Sequence, residues 1–144
     1  RLTTQMWLEG YRFYEKMLAE LEKKKREALE DSIRITAYPK DTAVQSSRLN
    51  STEERNIKYI DKVQRISVQI EESKKYICDV QNAIATVSNM RHRMLLQLKY
   101  IEGETWEGVA EAMGMSEKWV RETLNGRAIK ELEHTADKWL PAGI

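Results

Sequence analysis

The sequence predicts an all-α protein, with a long, coiled-coil-like helical hairpin at its N-terminal end and a smaller helical domain at its C-terminal end. A third of the 144 residues is charged, and the chain has only two Pro and six Gly, a composition that favours helix over sheet. Apolar residues recur at heptad spacing along two long stretches, a pattern typical of helices that pack lengthwise. The formal net charge is +1, which argues against a nonspecific nucleic-acid coat but allows a locally basic face.

The first predicted helix covers residues 2 to about 30. Its apolar or aromatic positions are separated by four or three residues and are Trp7, Tyr11, Tyr14, Leu18 and Leu21. The stretch 31–51 breaks this pattern, because Pro39 disfavours helix at the residue before it and several turn-forming residues follow. We therefore expect a loop over 31–51.

A second long helix is expected from a cap at Ser51 or Thr52 to about residue 86. Its seam repeats every seven residues, at Val63, Ile70, Ile77 and Ile84. The obvious partner is the first helix, packed antiparallel through the loop. Because β-branched side chains dominate the seam and two helices cannot cover it fully, we also expect a homo-oligomer, with a dimer favoured.

Residues 87–89 mark a break between this arm and the C-terminal part of the chain. Ser88 or Asn89 is placed to cap a helix over 90–101, whose inner side is expected to contain Met94, Leu95 and Leu98. The predicted organisation is therefore a helical arm over 1–87 and a second domain over 88–144.

The stretch 105–130 predicts two helices joined by a tight turn. Thr105 can cap the first helix and Ser116 the second, and Gly114 stands where the chain needs a positive φ to turn. Ala110, Gly114 and Val120 stand at offsets of zero, four and ten, a combination more specific than a helical hairpin alone. Apolar residues supply the inner side of both helices at Val109, Met113, Met115, Val120 and Leu124. The pattern is that of a DNA-binding helix-turn-helix.

The same residues resemble a known family. The run LKYIEGETW over 98–106, followed by Val109-Ala110 and Gly114-Met115-Ser116, is similar to region 4 of sigma-70-type factors. It is more similar still to the C-terminal part of small phage-encoded regulators of the ArpU/RinA type. The motif-bearing match covers 90–132, and it implies a sequence-specific DNA-binding protein that controls late phage genes. The chain departs from the sigma pattern by one additional residue between Arg121 and Arg127.

The second helix of the pair supplies the candidate DNA contacts. Arg121 is suited to a guanine and Asn125 to an adenine, with Ser116 and Lys118 placed to contact a phosphate or the first base at the helix start. Basic residues on either side are candidate phosphate contacts: Arg91, Arg93 and Lys99 before the helix, and Arg127 and Lys130 after its middle. We expect the three base-side residues, Lys118, Arg121 and Asn125, to form one surface.

Other chemistry is not indicated. Glycine-rich phosphate loops and zinc-binding clusters are absent from the sequence, so we expect no enzyme activity, no cofactor and no metal. His92 and His134 are interpreted as surface or phosphate-contacting residues, Glu131 as an exposed acid, and Trp106 and Trp119 as packing residues. No run of about 18 apolar residues exists, so no membrane partner is expected. Cys78, the single cysteine, is expected to be a partly buried thiol, which fits the cytoplasm of a bacterial host cell.

Two alternatives stay open at the level of sequence. From residue 91 to the end, acidic residues outnumber Lys and Arg by nine to eight, so the helical pair is also compatible with a protein-interaction module that contacts RNA polymerase without binding DNA. A phage DNA-packaging adaptor of the small-terminase type also joins a helix-turn-helix to an oligomerising helical arm. Double-stranded DNA is the expected partner of both the regulator and the packaging adaptor.

Overall fold

The computed structural model describes residues 1–37 and 46–144, with the side chains of 34–52 excepted. In the described part every regular element is helical and no strand is present, which confirms the predicted all-α class. The long helices and the short one before them are α1 (Thr4–Glu9), α2 (Tyr11–Ala37) and α3 (Ser46–Ala85). The later ones are α4 (Met90–Leu96), α5 (Trp106–Met113), α6 (Glu117–Trp119) and α7 (Asn125–Thr135). Two π-helical turns, Gln97–Ile101 and Val120–Leu124, and a 3₁₀ turn, Asp137–Trp139, complete the order.

The loop was predicted over 31–51, but the helices on both sides extend into that range. Helix α2 continues through Ala37 and α3 already begins at Ser46, so Ser51 and Thr52 lie inside α3 and do not cap it. Neither 31–37 nor 46–51 contains Gly or Pro, the two residues that disfavour a helix interior most. The turn expected around Pro39 lies outside the described residues.

The first helix is interrupted near its start. Thr3 caps α1 through a bond from the Met6 amide to its hydroxyl, and Gly10 separates α1 from α2. The hydroxyl of Tyr76 lies against Gly10 and donates to the carbonyl of Trp7. A Cβ at residue 10 would collide with that hydroxyl, so close packing requires glycine here, although its backbone is in the right-handed helical region.

The chain divides into two compact units, residues 16–74 and residues 1–15 together with 75–144. In the first, Leu21 of α2 forms a small buried cluster with Ile66 and Ile70 of α3. The hydroxyl of Ser73 lies 3.9 Å from the sulfur of Met17. Residues late in α3 therefore meet residues early in α2, which is the predicted antiparallel pairing.

The second unit contains the main core. Trp7 and Leu8 of α1 pack with the end of α3 and with the C-terminal helices. Other buried members from the elements after α3 are Leu95, Leu96, Tyr100, Val109, Ala110, Val120, Leu124, Ala128, Ile129 and Leu132. This division differs from the predicted boundary between 87 and 88, because α1 and the end of α3 complete the core of the C-terminal helices. A fragment that begins at residue 88 would lack both.

The heptad seam of α3 is partly covered within the chain. Ile70 and Ile84 are buried, whereas Val63 and Ile77 are half-buried. Ile70 packs with Leu21 of α2, and Ile77 and Ile84 pack in the main core. Nothing in the structure tests whether the half-buried part of this seam also holds an oligomer, so that expectation stays a prediction. Two side chains differ from expectation, because Cys78 is exposed and so is Met94.

No described helix is long and apolar enough to cross a membrane. The described residues also contain no cluster of three or more His, Cys, Asp or Glu arranged to hold a metal ion.

Trp7 provides a test of the shared core. Trp7→Ala should lower the free energy of unfolding by about 3–5 kcal/mol, the usual cost of truncating a buried tryptophan. Met6→Ala is the control, since Met6 is exposed and its change should stay within about 0.5 kcal/mol. Urea unfolding of the full chain measures both, and equal midpoints for the two variants would contradict the packing of α1 into this core.

Candidate nucleic-acid interface

The predicted helical pair is present as two helices joined by a tight turn. Thr105 caps α5 by accepting from the Gly108 amide at 3.0 Å, and Ser116 caps α6 by accepting from the Trp119 amide at 3.2 Å. Gly114 ends α5 with φ 66° and ψ 35°. The Met115 amide then donates to the Ala110 carbonyl at 3.0 Å, which closes the turn. All three predicted positions are confirmed.

The second helix of the pair contains a π-helical turn, so that residues 117–135 form one helical run with one wide turn, Val120–Leu124. The amide of Asn125 donates to the carbonyl five residues back, at Val120. A π turn holds about one residue more than an α turn, so every later side chain is displaced by about 100° around the axis.

The displacement decides which residues are buried. In an unbroken α-helix the side chain of Leu132 would point about 120° away from that of Val120 around the helix axis. Because the π turn takes up one additional residue, this angle falls to about 20°. Both side chains are fully buried, as is Ala128. The wide turn therefore lets one helix present a continuous apolar face to the core on both sides of it.

Asn125 is not on the candidate surface. Only 6% of it is exposed, and the Tyr100 hydroxyl donates to its Oδ1 at 2.8 Å. Burial raises the pKa of Tyr100 to about 12, against a smaller opposing effect of the bond to Asn125, so the hydroxyl stays protonated and donates. The prediction that Asn125 contacts bases is wrong, because the π turn moves it away from the side of Lys118.

The exposed side of the run is a polar face, which we define by Lys118, Arg121, Glu122, Gly126 and Lys130. All five are exposed. With the displacement counted, Gly126 and Lys130 lie within about 20° of Lys118 around the axis. Lys118 and Lys130 form no ion pair with any described residue, whereas Arg121 binds Glu117 at 2.5 Å and approaches Glu122 at 3.8 Å.

Gly126 lies in the middle of the polar face without a packing reason. A Cβ built there would meet no atom within 4 Å, and the residue lies within α7. A helical glycine costs roughly 0.5–1 kcal/mol relative to alanine. The absence of a side chain leaves the helix backbone open to close approach by a ligand.

Trp119 and Arg127 flank the polar face. Trp119 is 42% exposed, so the expectation that it packs in the core is wrong, whereas Trp106 does pack against the core. The guanidinium carbon of Arg127 lies 5.2 Å from the centre of the Trp119 ring. These residues are eight apart, and the π turn brings them onto the same side of the helix.

The remaining predicted phosphate contacts are scattered. Arg91 and Arg93 are exposed on α4, but two residues of separation point them about 200° apart, so they do not form one group. Lys99 donates to the Glu104 carbonyl at 3.2 Å and lies 4.6 Å from the ring centre of Trp106. Its ammonium group thus supports the turn before α5. Ser116 is exposed, and its hydroxyl oxygen serves as the helix cap.

Glu131 ties α7 to the start of α4. One carboxylate oxygen lies 2.6 Å from Nδ1 of His92, and the other accepts from the amides of Ser88 and Asn89 at 3.0 and 3.2 Å. Burial raises the pKa of this carboxyl, but the hydrogen bonds from His92, Asn89 and Ser88 outweigh it and lower the pKa below its ordinary value. Glu131 is therefore not a free exposed acid, and His92 is partly buried with its Nδ1 facing Glu131.

The chain matches no family model, no curated protein and no solved structure. Its function is therefore inferred from its own residues and contacts.

A substitution at Asn125 distinguishes a role in the core from a role in contacting bases. Asn125→Ala should lower the free energy of unfolding by about 1–3 kcal/mol, because it leaves the buried Tyr100 hydroxyl without its acceptor. Lys118→Ala, on the polar face, should change stability by less than about 0.5 kcal/mol. Chemical unfolding of both variants provides the measurement. An Asn125→Ala protein of unchanged stability would mean that the side chain does not hold the core together.

The lowered pKa of Glu131 predicts that the stability of the folded protein depends on pH. A carboxyl whose pKa is lowered on folding stabilises the protein above its unfolded pKa, about 4.3, and this stability is lost as pH falls through the folded pKa. Glu131→Gln should therefore destabilise the protein at neutral pH, and the difference from the unchanged chain should shrink in acid. Thermal unfolding from pH 7 to pH 3 tests this, with Glu133→Gln on the exposed side of α7 as control. A Glu131→Gln deficit that is constant over that range would rule out the charged form as the stabilising one.

Proposed function

We propose that this chain binds double-stranded DNA sequence-specifically through the polar face of residues 118–130, and that it acts as a transcriptional regulator of phage or prophage late genes. The observation that carries the proposal is the open backbone at Gly126 within an exposed face that also holds Lys118 and Lys130. A helix enters the major groove with one such face. The resemblance of 90–132 to sigma region 4 and to ArpU/RinA-type regulators supports the regulatory role.

The polar face and the residues that flank it offer three kinds of contact. Lys118 and Lys130, which have no ion-pair partner among the described residues, are cations that suit phosphates. Arg121 and Glu122 offer a donor fork for guanine and an acceptor for the cytosine amino group. Trp119, which lies beside Arg127 and is 42% exposed, offers an apolar ring that suits the methyl group of thymine.

Arg121 has to exchange partners to contact a base. Its guanidinium is held by Glu117 at 2.5 Å in the free protein, and both groups are nearly half exposed. Exposed ion pairs of this kind contribute roughly 0–1 kcal/mol, so a bidentate contact to guanine, worth about 1–3 kcal/mol of discrimination, can displace it.

The proposed partners follow from this role. We propose a homo-oligomer, with a dimer favoured, because two copies would contact two half-sites of a palindromic target. RNA polymerase is a further proposed partner, and the bacterial cytoplasm is the proposed location.

A protein-interaction role is the second candidate, and the charge balance favours it. Two acids on or next to the polar face, Glu117 and Glu122, neutralise part of the charge of Arg121. Binding of the full chain to purified RNA polymerase, with no shift of any DNA from a random double-stranded pool, would establish this second role. A late-promoter reporter in host cells separates gene regulation from DNA packaging.

Two substitutions test the DNA-binding proposal. Arg121→Ala should weaken binding to a selected double-stranded site by about 1–3 kcal/mol and relax the preference at one base pair. Lys130→Ala should weaken all sequences alike and reduce the salt slope by about one.

Mobility-shift titrations of the full chain at several salt concentrations measure both effects. Glu133→Ala, on the same helix and exposed, is the matched control and should leave the sequence preference unchanged. Arg121→Ala protein with unchanged affinity and preference would remove Arg121 from the binding surface.

A further inference from the structure

Helix α3 carries a second apolar stripe on the side away from α2. Ile57, Ile60 and Val68 are 58%, 54% and 58% exposed. At about 100° per residue these three side chains and Gln64 fall within an arc of roughly 80°. The side chains that α3 buries in this unit, such as Ile66 and Ile70, lie on the opposite side of the helix.

Charged residues of both signs flank this stripe on one edge. Asp61 and Arg65 lie next to Gln64, and Lys58 and Glu72 lie further out along the same edge. A shallow groove follows the stripe here, lined by Asp61, Gln64, Arg65 and Val68. From residue 57 to residue 68 the centre of the surface therefore holds three apolar side chains and Gln64, and Glu71 ends the stripe. Opposite charges lie on one edge, on either side of residue 64.

We propose that a second copy of this chain packs on the stripe, with the two α3 helices antiparallel and the two-fold axis beside Gln64. Two residues, one from each copy, then lie at the same height along the helices when their numbers add to about 128. Ile60 meets Val68 of the second copy, and the two Gln64 side chains meet at the axis. Because of the two-fold symmetry, the contact between Ile60 and Val68 forms twice, whereas the contact between the two Gln64 side chains forms once.

The charges favour this orientation. In an antiparallel two-fold pair, the same edge of both helices comes together. Asp61 then lies within about two residues, or 3 Å, of the height of Arg65 of the second copy, and Lys58 has the same relation to Glu72. An in-register parallel pair would instead place this edge against the other one, where Ile60 and Ser67 lie at the heights of Asp61 and Arg65, and would leave these two charges without partners. Opposite charges on facing helix edges set orientation in helical pairs.

This interface is separate from DNA binding. All the residues involved belong to the unit of residues 16–74, whereas the polar face belongs to the other unit. A variant that no longer dimerises can therefore be distinguished from a variant whose individual chains no longer bind DNA.

Cysteine cross-linking tests the geometry directly, with Cys78→Ser as background because Cys78 is exposed. Only a residue at the axis can form a disulfide with its own copy, since the bond requires Cα atoms about 4.4–6.8 Å apart. Gln64→Cys should cross-link under mild oxidation. Ile57→Cys should not, because the two copies would be about 21 Å apart along the helices. Lys62→Cys, at similar height on another side of α3, is the matched control. Cross-linking of Ile57→Cys or Lys62→Cys as efficient as that of Gln64→Cys would overturn the proposal.

Sedimentation equilibrium tests the contacts themselves. The unchanged full chain should dimerise, and Val68→Lys should sediment as a folded monomer with unchanged helical circular dichroism. Leu29→Lys, which alters another exposed apolar side chain of the same unit, should still dimerise. Asp61→Arg and Arg65→Asp should each weaken the dimer at least several-fold, and the double variant should restore it. A monomeric unchanged chain at about 100 µM, or a double variant as weak as the single ones, would contradict the proposed pairing.

Discussion

One buried hydrogen bond joins the two irregular turns on which the C-terminal unit depends. Tyr100 lies in the π turn Gln97–Ile101, and Asn125 directly follows the π turn Val120–Leu124. The bond between their side chains, at 2.8 Å and out of water, holds these two wide turns against each other. A π turn has no intrinsic advantage over an α turn, so its persistence requires side chains that satisfy it. Losing either partner would leave a buried polar group unpaired, which is costly in an interior of low polarity.

The position of the second wide turn determines which side chains of this helical run face the core and which face solvent. By absorbing one residue it places Ala128, Ile129 and Leu132 on the core side with Val120, and Lys118, Gly126 and Lys130 together on the outside. Glu131 then holds α7 to the start of α4 through the amides of Ser88 and Asn89. Core packing and the proposed DNA surface are thus two consequences of one local geometry.

Much of this architecture could be predicted from local patterns. Heptad spacing correctly identified the antiparallel long helices, and the caps at Thr105 and Ser116 and the left-handed Gly114 follow from short-range backbone chemistry. The candidate site was predicted only in part. A regular 3.6-residue period placed Asn125 beside Lys118, because no local signal in the sequence marks a π turn. The joining of α1 to the C-terminal core and the pairing of His92 with Glu131 depend on contacts distant in sequence, which single-sequence periodicity does not encode.

The affinity of Gly126→Ala protein for a selected double-stranded site tests most directly whether the polar face binds DNA. A methyl group at residue 126 meets nothing in the free protein, so it should stabilise the helix by roughly 0.5–1 kcal/mol. If DNA approaches the backbone at this position, the same methyl group should lower the affinity at least tenfold in a mobility-shift titration, in a protein that unfolds at higher urea. A Gly126→Ala protein that binds the site as tightly as the unchanged chain would show that the polar face does not approach DNA there.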